Sequence, residues 1–140
     1  MKRRKAREYV LQFLFQSDFG NKSDIGRSLK QFWADKEKDD EVKKFATELI
    51  KGTLSSLDEI DSVINKSAEH WVLQRMAVVD RNILRFAVYE LLYRTDIPPA
   101  VTINEAIEIA KKYSTHESAS FINGILDKIA KGTKSQQKKA

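Results

Sequence analysis

The chain has 140 residues, 41% hydrophobic and 32% charged, which suits one folded domain with a real core rather than a disordered segment. The absence of cysteine excludes a disulfide scaffold, a thiolate metal site and a cysteine nucleophile. The net charge of +5 is uneven: Lys2, Arg3, Arg4, Lys5 and Arg7 crowd the first residues, and Lys131, Lys134, Lys138 and Lys139 crowd the last. Segment 8–130 is left with sixteen basic and twenty acidic residues. A mildly acidic body with two basic ends favours a polyanion partner. No apolar run approaches the ~20 residues that span a bilayer. The N-terminus also lacks the apolar run of a secretory signal, so no membrane role is expected and a cytoplasmic location is the default.

Helical spacing runs through almost every segment, and no sustained strand alternation is present. A first helix is expected over about 2–18, stopped by Gly20 and Asn21. A second fits 24–36, burying Ile25, Leu29, Phe32 and Trp33. Asp39 or Asp40 caps a third, with Val42, Phe45, Ala46, Leu49 and Ile50 inward. Ser56-Leu57-Asp58-Glu59 reads as a capping box opening a fourth. Residues 66–77 are less periodic and contain a turn. Residues 78–94 are apolar around most of the helix circumference, the mark of a central, buried helix. Asp96-Ile97-Pro98-Pro99 ends it. Thr102-Ile103-Asn104-Glu105 reads as a second capping box, and Ser118 as the cap of the last helix, which buries Phe121, Ile122, Ile125, Leu126 and Ile129. Seven helices follow, with 131–140 as a frayed basic tail.

Catalytic signals are sparse. His70 and His116 stand apart and match no metal-ligand spacing, and no phosphate-binding or nucleophile-elbow motif occurs, so neither metal nor cofactor is expected and the chain reads as a non-enzyme. The acidic pairs fall at helix starts, where the helix dipole favours them. The N-terminal run is the strongest signal from spacing. Arg3 and Arg7 share a helix face, while Arg4, Glu8, Leu11 and Phe15 form a neighbouring stripe. Guanidinium groups suit phosphate, and an aromatic ring suits an unpaired base. The plain alternatives are a solvated charge run and a Phe15 packed into the core. A second candidate patch is the start of the last helix: free N–H groups near Ser118 attract phosphate, with His116 and Phe121 beside them. Ordinary capping by Ser118 is the alternative. Gly124 in a helix interior suggests close helix approach or, second, close RNA approach.

The residues then resemble a known family. Arg3-Arg4-Lys5-Ala6-Arg7-Glu8 continuing to Gln12 and Phe15, Val79-Asp80-Arg81-Asn82-Ile83-Leu84-Arg85 running into Tyr89-Glu90-Leu91, Ile103-Asn104-Glu105-Ala106, and Phe121-Ile122-Asn123-Gly124-Ile125-Leu126-Asp127-Lys128 are similar in order to NusB, the bacterial transcription antitermination factors. Segment 20–75 matches weakly. The resemblance implies an all-α fold of two small packed bundles within one RNA-binding domain over 1–130, with subdomains near 1–66 and 67–130. It implies binding of single-stranded boxA RNA, notably in ribosomal RNA operons. It also implies a heterodimer with NusE and a larger complex with NusA, NusG and RNA polymerase. Carried over by position, Arg3, Arg4 and Arg7 contact phosphates and base edges and Lys2 and Lys5 add charge. Phe15 replaces a tyrosine that stacks on RNA. Glu117 and Phe121 supply RNA contacts from the last loop and helix, with Glu117 in place of an aspartate. Asp80, with Arg81 and 71–76 as neighbours, faces NusE.

Two rival readings remain at this stage. One is the RNA-binding module of a ribosomal RNA cytosine methyltransferase, which requires a further α/β domain. The other is a protein-only helical scaffold with inert basic ends. A homodimer that buries and masks the arginine face is a further alternative left open. If about five phosphates are neutralised on a single strand, log K should fall against log salt with a slope of about −3.5.

Overall fold

A computed structural model describes residues 1–19, 24–68 and 73–134 of the chain, with the side chains of 19 and 134 left aside. It is all-helical. The elements are α1 (Lys2–Phe19), α2 (Ile25–Trp33), α3 (Asp40–Ser55), α4 (Leu57–Ser67), a short 3₁₀ turn (Leu73–Arg75), α5 (Val78–Tyr93), α6 (Pro99–Tyr113) and α7 (His116–Lys134). The expected stop at Gly20 and Asn21, and His70, lie outside the described residues. The last helix continues through 131–134, where a frayed tail was expected.

The starts of α2 and α3 follow local chemistry. The Asp24 carboxylate accepts from the Arg27 N–H at 3.0 Å, and Asp39 accepts from the Glu41 N–H at 2.9 Å, so each satisfies an orphan donor of its helix. Leu29 and Phe32 of α2 are buried, while Ile25 and Trp33 are only partly so. Edge-to-face contacts among Tyr9, Phe32 and Trp33, and between Phe13 and Phe32, fasten α2 to α1.

Three expected caps are not used. Ser56 precedes α4, but its side chain makes no capping bond, and Glu59 instead accepts from the Tyr93 hydroxyl. Thr102 and Glu105 lie inside α6, which begins three residues earlier because Pro99 occupies its first position with φ already helical. Ser118 lies within α7, and its N–H donates to the Thr115 hydroxyl oxygen at 2.9 Å, so Thr115 does the capping.

α5 is the centre of the fold and packs against α1, α3, α4, α6 and α7. Its apolar residues Ile83, Leu84, Phe86, Ala87, Val88 and Leu91 are fully enclosed. It also carries three buried polar residues, Asp80, Asn82 and Glu90. Two of them pin α1 lengthwise. Asn82 donates to Asp18 at 2.5 Å, joined by Arg85, which bridges Asp18 at 3.1 Å and Asp61 at 2.9 Å. Glu90 holds Arg7 near the other end of α1. At Gly52 the backbone of α3 approaches α5 so closely that a Cβ would collide with the Tyr89 ring. Gly124 is the opposite case: a Cβ there meets nothing within 4 Å, so the close helix approach expected at that position does not occur.

Candidate nucleic-acid interface

α1 opens on four consecutive cations, with no acidic residue in its first turn. Cations at a helix start oppose the helix dipole, so local stability does not explain them. The fold answers them with carboxylates from elsewhere. Lys2 Nζ lies 3.1 Å from Asp39 and 3.3 Å from Glu41. Lys5 Nζ lies 2.8 Å from Glu37. The Arg4 fork donates to both oxygens of Glu105 at 2.8 and 2.7 Å, and this bond holds the Glu105 carboxyl below its usual range. Arg3 forms no ion pair among the described residues; its guanidinium lies 4.4 Å from the centre of the Phe45 ring, which Arg7 and Arg94 also approach at 5.2 Å.

Arg7 departs from the sequence expectation. It is 2% exposed, and its fork donates to both oxygens of the fully buried Glu90 at 2.7 and 2.8 Å. The Thr102 hydroxyl completes the carboxylate's bonding at 2.7 Å. A guanidinium held this way is part of the core and offers no donor to a surface ligand, because removing it would strand a buried charge. The shared face expected for Arg3 and Arg7 therefore divides, with Arg3 exposed and Arg7 turned inward.

The Arg4–Phe15 stripe runs along the seam between α1 and α6. Arg4 meets Glu105, and Glu8 accepts from Lys112 at 2.9 Å and from the Tyr113 hydroxyl at 2.5 Å. Phe13 and Leu14 take the inward positions, leaving Phe15 38% exposed. It opens onto a groove of about 200 Å³ lined by Leu11, Gln12, Phe15, Gln16, Val79 and Tyr113. Tyr113, 40% exposed, stands at the edge of this groove. Periodicity gave no reason to single it out, since a helix end reads the same whether its aromatic faces a core or a groove.

A second cavity of about 290 Å³ is lined by Arg75, Met76, Ala77, Asp80, Glu117, Ser118 and Phe121. Glu117, Ser118, Phe121 and Asp80 therefore gather at one place, although the sequence separates them into an RNA face and a partner face. Asp80 is 7% exposed and is occupied internally by the hydroxyls of Ser114 and Ser118. Arg81, beside it, turns to Asp18 at 3.3 Å. Among the described residues no cluster of histidine and carboxylate could hold a metal ion, and no helix is long and apolar enough to cross a membrane.

Residues 4–131 match the NusB family. The transcription antitermination protein NusB of Thermodesulfovibrio yellowstonii is 54% identical over 94% of this chain and 93% of its own length. T. maritima NusB superposes with a TM-score of 0.83 at 47% identity, covering 92% of this chain and 90% of that one. A crystal structure of antitermination factors NusB and NusE in complex with dsRNA gives a TM-score of 0.83 at 28% identity, covering 94% and 97%. With the family match spanning residues 4–131, and with identity sustained over nearly its whole length, the chain belongs to the NusB family of transcription antitermination proteins.

Proposed function

We propose that the seam from the start of α1, through the Phe15–Tyr113 groove, to the α6–α7 turn is the surface on which this chain binds single-stranded boxA RNA. The observation that carries this reading is the groove in which the exposed Phe15 and Tyr113 stand together, beside the Arg4 and Glu8 pairs to α6. Arg4 and Glu8 meet α6, Phe15 and Tyr113 line the groove beside them, and the 114–118 turn leads from Tyr113 to the Phe121 cavity, while Lys2, Arg3 and Lys5 flank this line on the side of α3 and the 37–41 segment. Lys2, Arg3, Arg4 and Lys5 supply phosphate attraction, and Phe15 and Tyr113 supply stacking surface. Glu117, Ser118 and Phe121 line the far end. Arg7 holds α1 in place from inside. The chain acts in the cytoplasm with NusE, on the side of α5 that carries Arg81 and the 73–76 turn. In the larger antitermination complex it joins NusA, NusG and RNA polymerase, notably on ribosomal RNA operons. No bond is made or broken by it.

The test is fluorescence anisotropy with labelled boxA RNA, a scrambled single strand and a duplex control, each with and without NusE, across a salt series. Tighter binding to boxA, strengthened by NusE, is expected. Four surface cations rather than five predict a slope of log K against log salt of about −2.8. Equal affinity for boxA and the scrambled strand would reduce the seam to a nonspecific basic arm. No binding to any RNA would favour a protein-only scaffold.

A further inference from the structure

Asp80 stands in the first turn of α5, and neither of its carboxylate oxygens is free. Ser114 Oγ donates to Oδ1 at 2.7 Å, and Ser118 Oγ donates to Oδ2 at 2.7 Å. Ser114 closes α6 and Ser118 lies in the first turn of α7, so a single side chain ties three helix ends together. The turn between its two donors leads from Tyr113 in the Phe15 groove to Glu117 in the Phe121 cavity. Hydroxyl donors to an ionised carboxylate form short, strong bonds, stronger still where water is excluded.

We propose that Asp80 is a positioning residue for RNA recognition, one that sets the 114–118 turn and thereby holds Tyr113 on one side and Glu117 and Phe121 on the other. The inference rests on the RNA reading of the seam and assigns Asp80 a role inside this chain rather than a direct contact with NusE. Without the carboxylate both serine hydroxyls lose their acceptor, and the turn gains alternative arrangements. Asparagine keeps one acceptor, and a serine hydroxyl can in turn accept from its amide, so the conservative variant should recover much of the geometry.

Charge gives the test a sign. Removing an acid from a nucleic-acid face strengthens attraction to a polyanion if electrostatics alone act, whereas loss of positioning weakens recognition. The experiment uses the full chain without NusE, with labelled boxA and scrambled RNA, comparing wild type with Asp80→Ala, Asp80→Asn and Ser114→Ala. The Ser114 variant changes no charge and removes no side chain assigned to RNA contact. Asp80→Ala and Ser114→Ala are expected to lower boxA affinity about five- to tenfold, less than the full value of one charge-assisted hydrogen bond because the effect is relayed through the turn. The preference for boxA over the scrambled strand should fall with it, while the salt slope and the helical circular dichroism stay at wild-type values. Asp80→Asn should restore most of the loss. If Asp80→Ala fails to fold, the Ser114→Ala result decides alone. Wild-type or tighter boxA binding by Ser114→Ala would overturn the inference while leaving the RNA reading intact. Equal affinity of the wild type for boxA and scrambled RNA would overturn that reading, and this inference with it.

Discussion

The fork-to-fork pair of Arg7 and Glu90 is enclosed on every side, with Arg7 2% and Glu90 0% exposed. Removing one partner leaves an uncompensated buried charge, so Arg7→Ala or Glu90→Ala should destabilise the fold by about 3–5 kcal/mol, measured by urea unfolding. Arg3→Ala should do the reverse: an unchanged unfolding midpoint, and boxA RNA binding weakened with a salt slope shallower by about 0.7. A large stability loss in Arg3→Ala would refute that division. Gly124 adds a third case. It occupies an open, exposed stretch of α7, so Gly124→Ala should stabilise by about 0.5–1 kcal/mol through helix propensity alone, read as a raised thermal midpoint.

At the scale of elements, the segment between α2 and α3, with the first turn of α3, acts as an acidic strap across the start of α1. Glu37 holds Lys5, and Asp39 and Glu41 hold Lys2. Hydrogen bonds from Lys5, from the Asp39 N–H and from the Tyr9 hydroxyl depress the Glu37 carboxyl from its ordinary 4.5 to about 2. A carboxyl whose folded value is depressed contributes stability above its unfolded value and loses it as pH falls through the folded one. The contribution of Glu37 is therefore complete above about pH 4.5 and disappears toward pH 2. A carboxyl-carbon NMR titration of Glu37 with a midpoint near 4.5 would disprove the contact. RNA phosphates must displace these carboxylates to reach Lys2 and Lys5. Glu37→Gln with Asp39→Asn should accordingly tighten RNA binding about threefold or more at low salt, beyond what Asp35→Asn gives. Asp35 is an exposed neighbour for which no ion pair is seen among the described residues.

The elements also show what a sequence can and cannot carry. The helices, the buried character of α5, and the cap at Asp39 depend on spacing and on residues within a few positions, and they are legible; the Asp24 cap is equally local, but spacing does not single it out. The capping boxes at Ser56 and Thr102 look equally sound locally. Their glutamates are claimed by Tyr93 and Arg4, 34 and 101 residues away, and Thr102 by Glu90. The same limit hides the difference between Arg3 and Arg7, because identical side chains four positions apart are separated only by a carboxylate 83 residues downstream. The gathering of Glu117, Ser118, Phe121 and Asp80 in one cavity was readable only as separate clues, since their convergence is a property of how α5 meets α7.

For the whole molecule, α5 is the shared wall. It packs on α1, α3, α4, α6 and α7, so the 1–66 and 67–130 segments bury apolar faces against the same helix. We expect a single cooperative unfolding transition, with calorimetric and van't Hoff enthalpies equal and neither segment folded in isolation. Two resolved transitions, or a helical and cooperative 1–66 fragment, would refute this.

Val79 borders the Phe15 groove and Asp80 borders the Phe121 cavity, and they are consecutive residues in one turn of the most enclosed helix in the molecule. Two recesses that share one turn share any displacement of it, and a displacement made on filling one recess would reshape a wall of the other. Thermodynamic linkage makes that influence reciprocal. If an occupant of the cavity tightens the groove by some factor, an occupant of the groove tightens the cavity by the same factor. The order in which two ligands arrive then has no effect on the stability of the final assembly, and either one can act as the recruiter of the other.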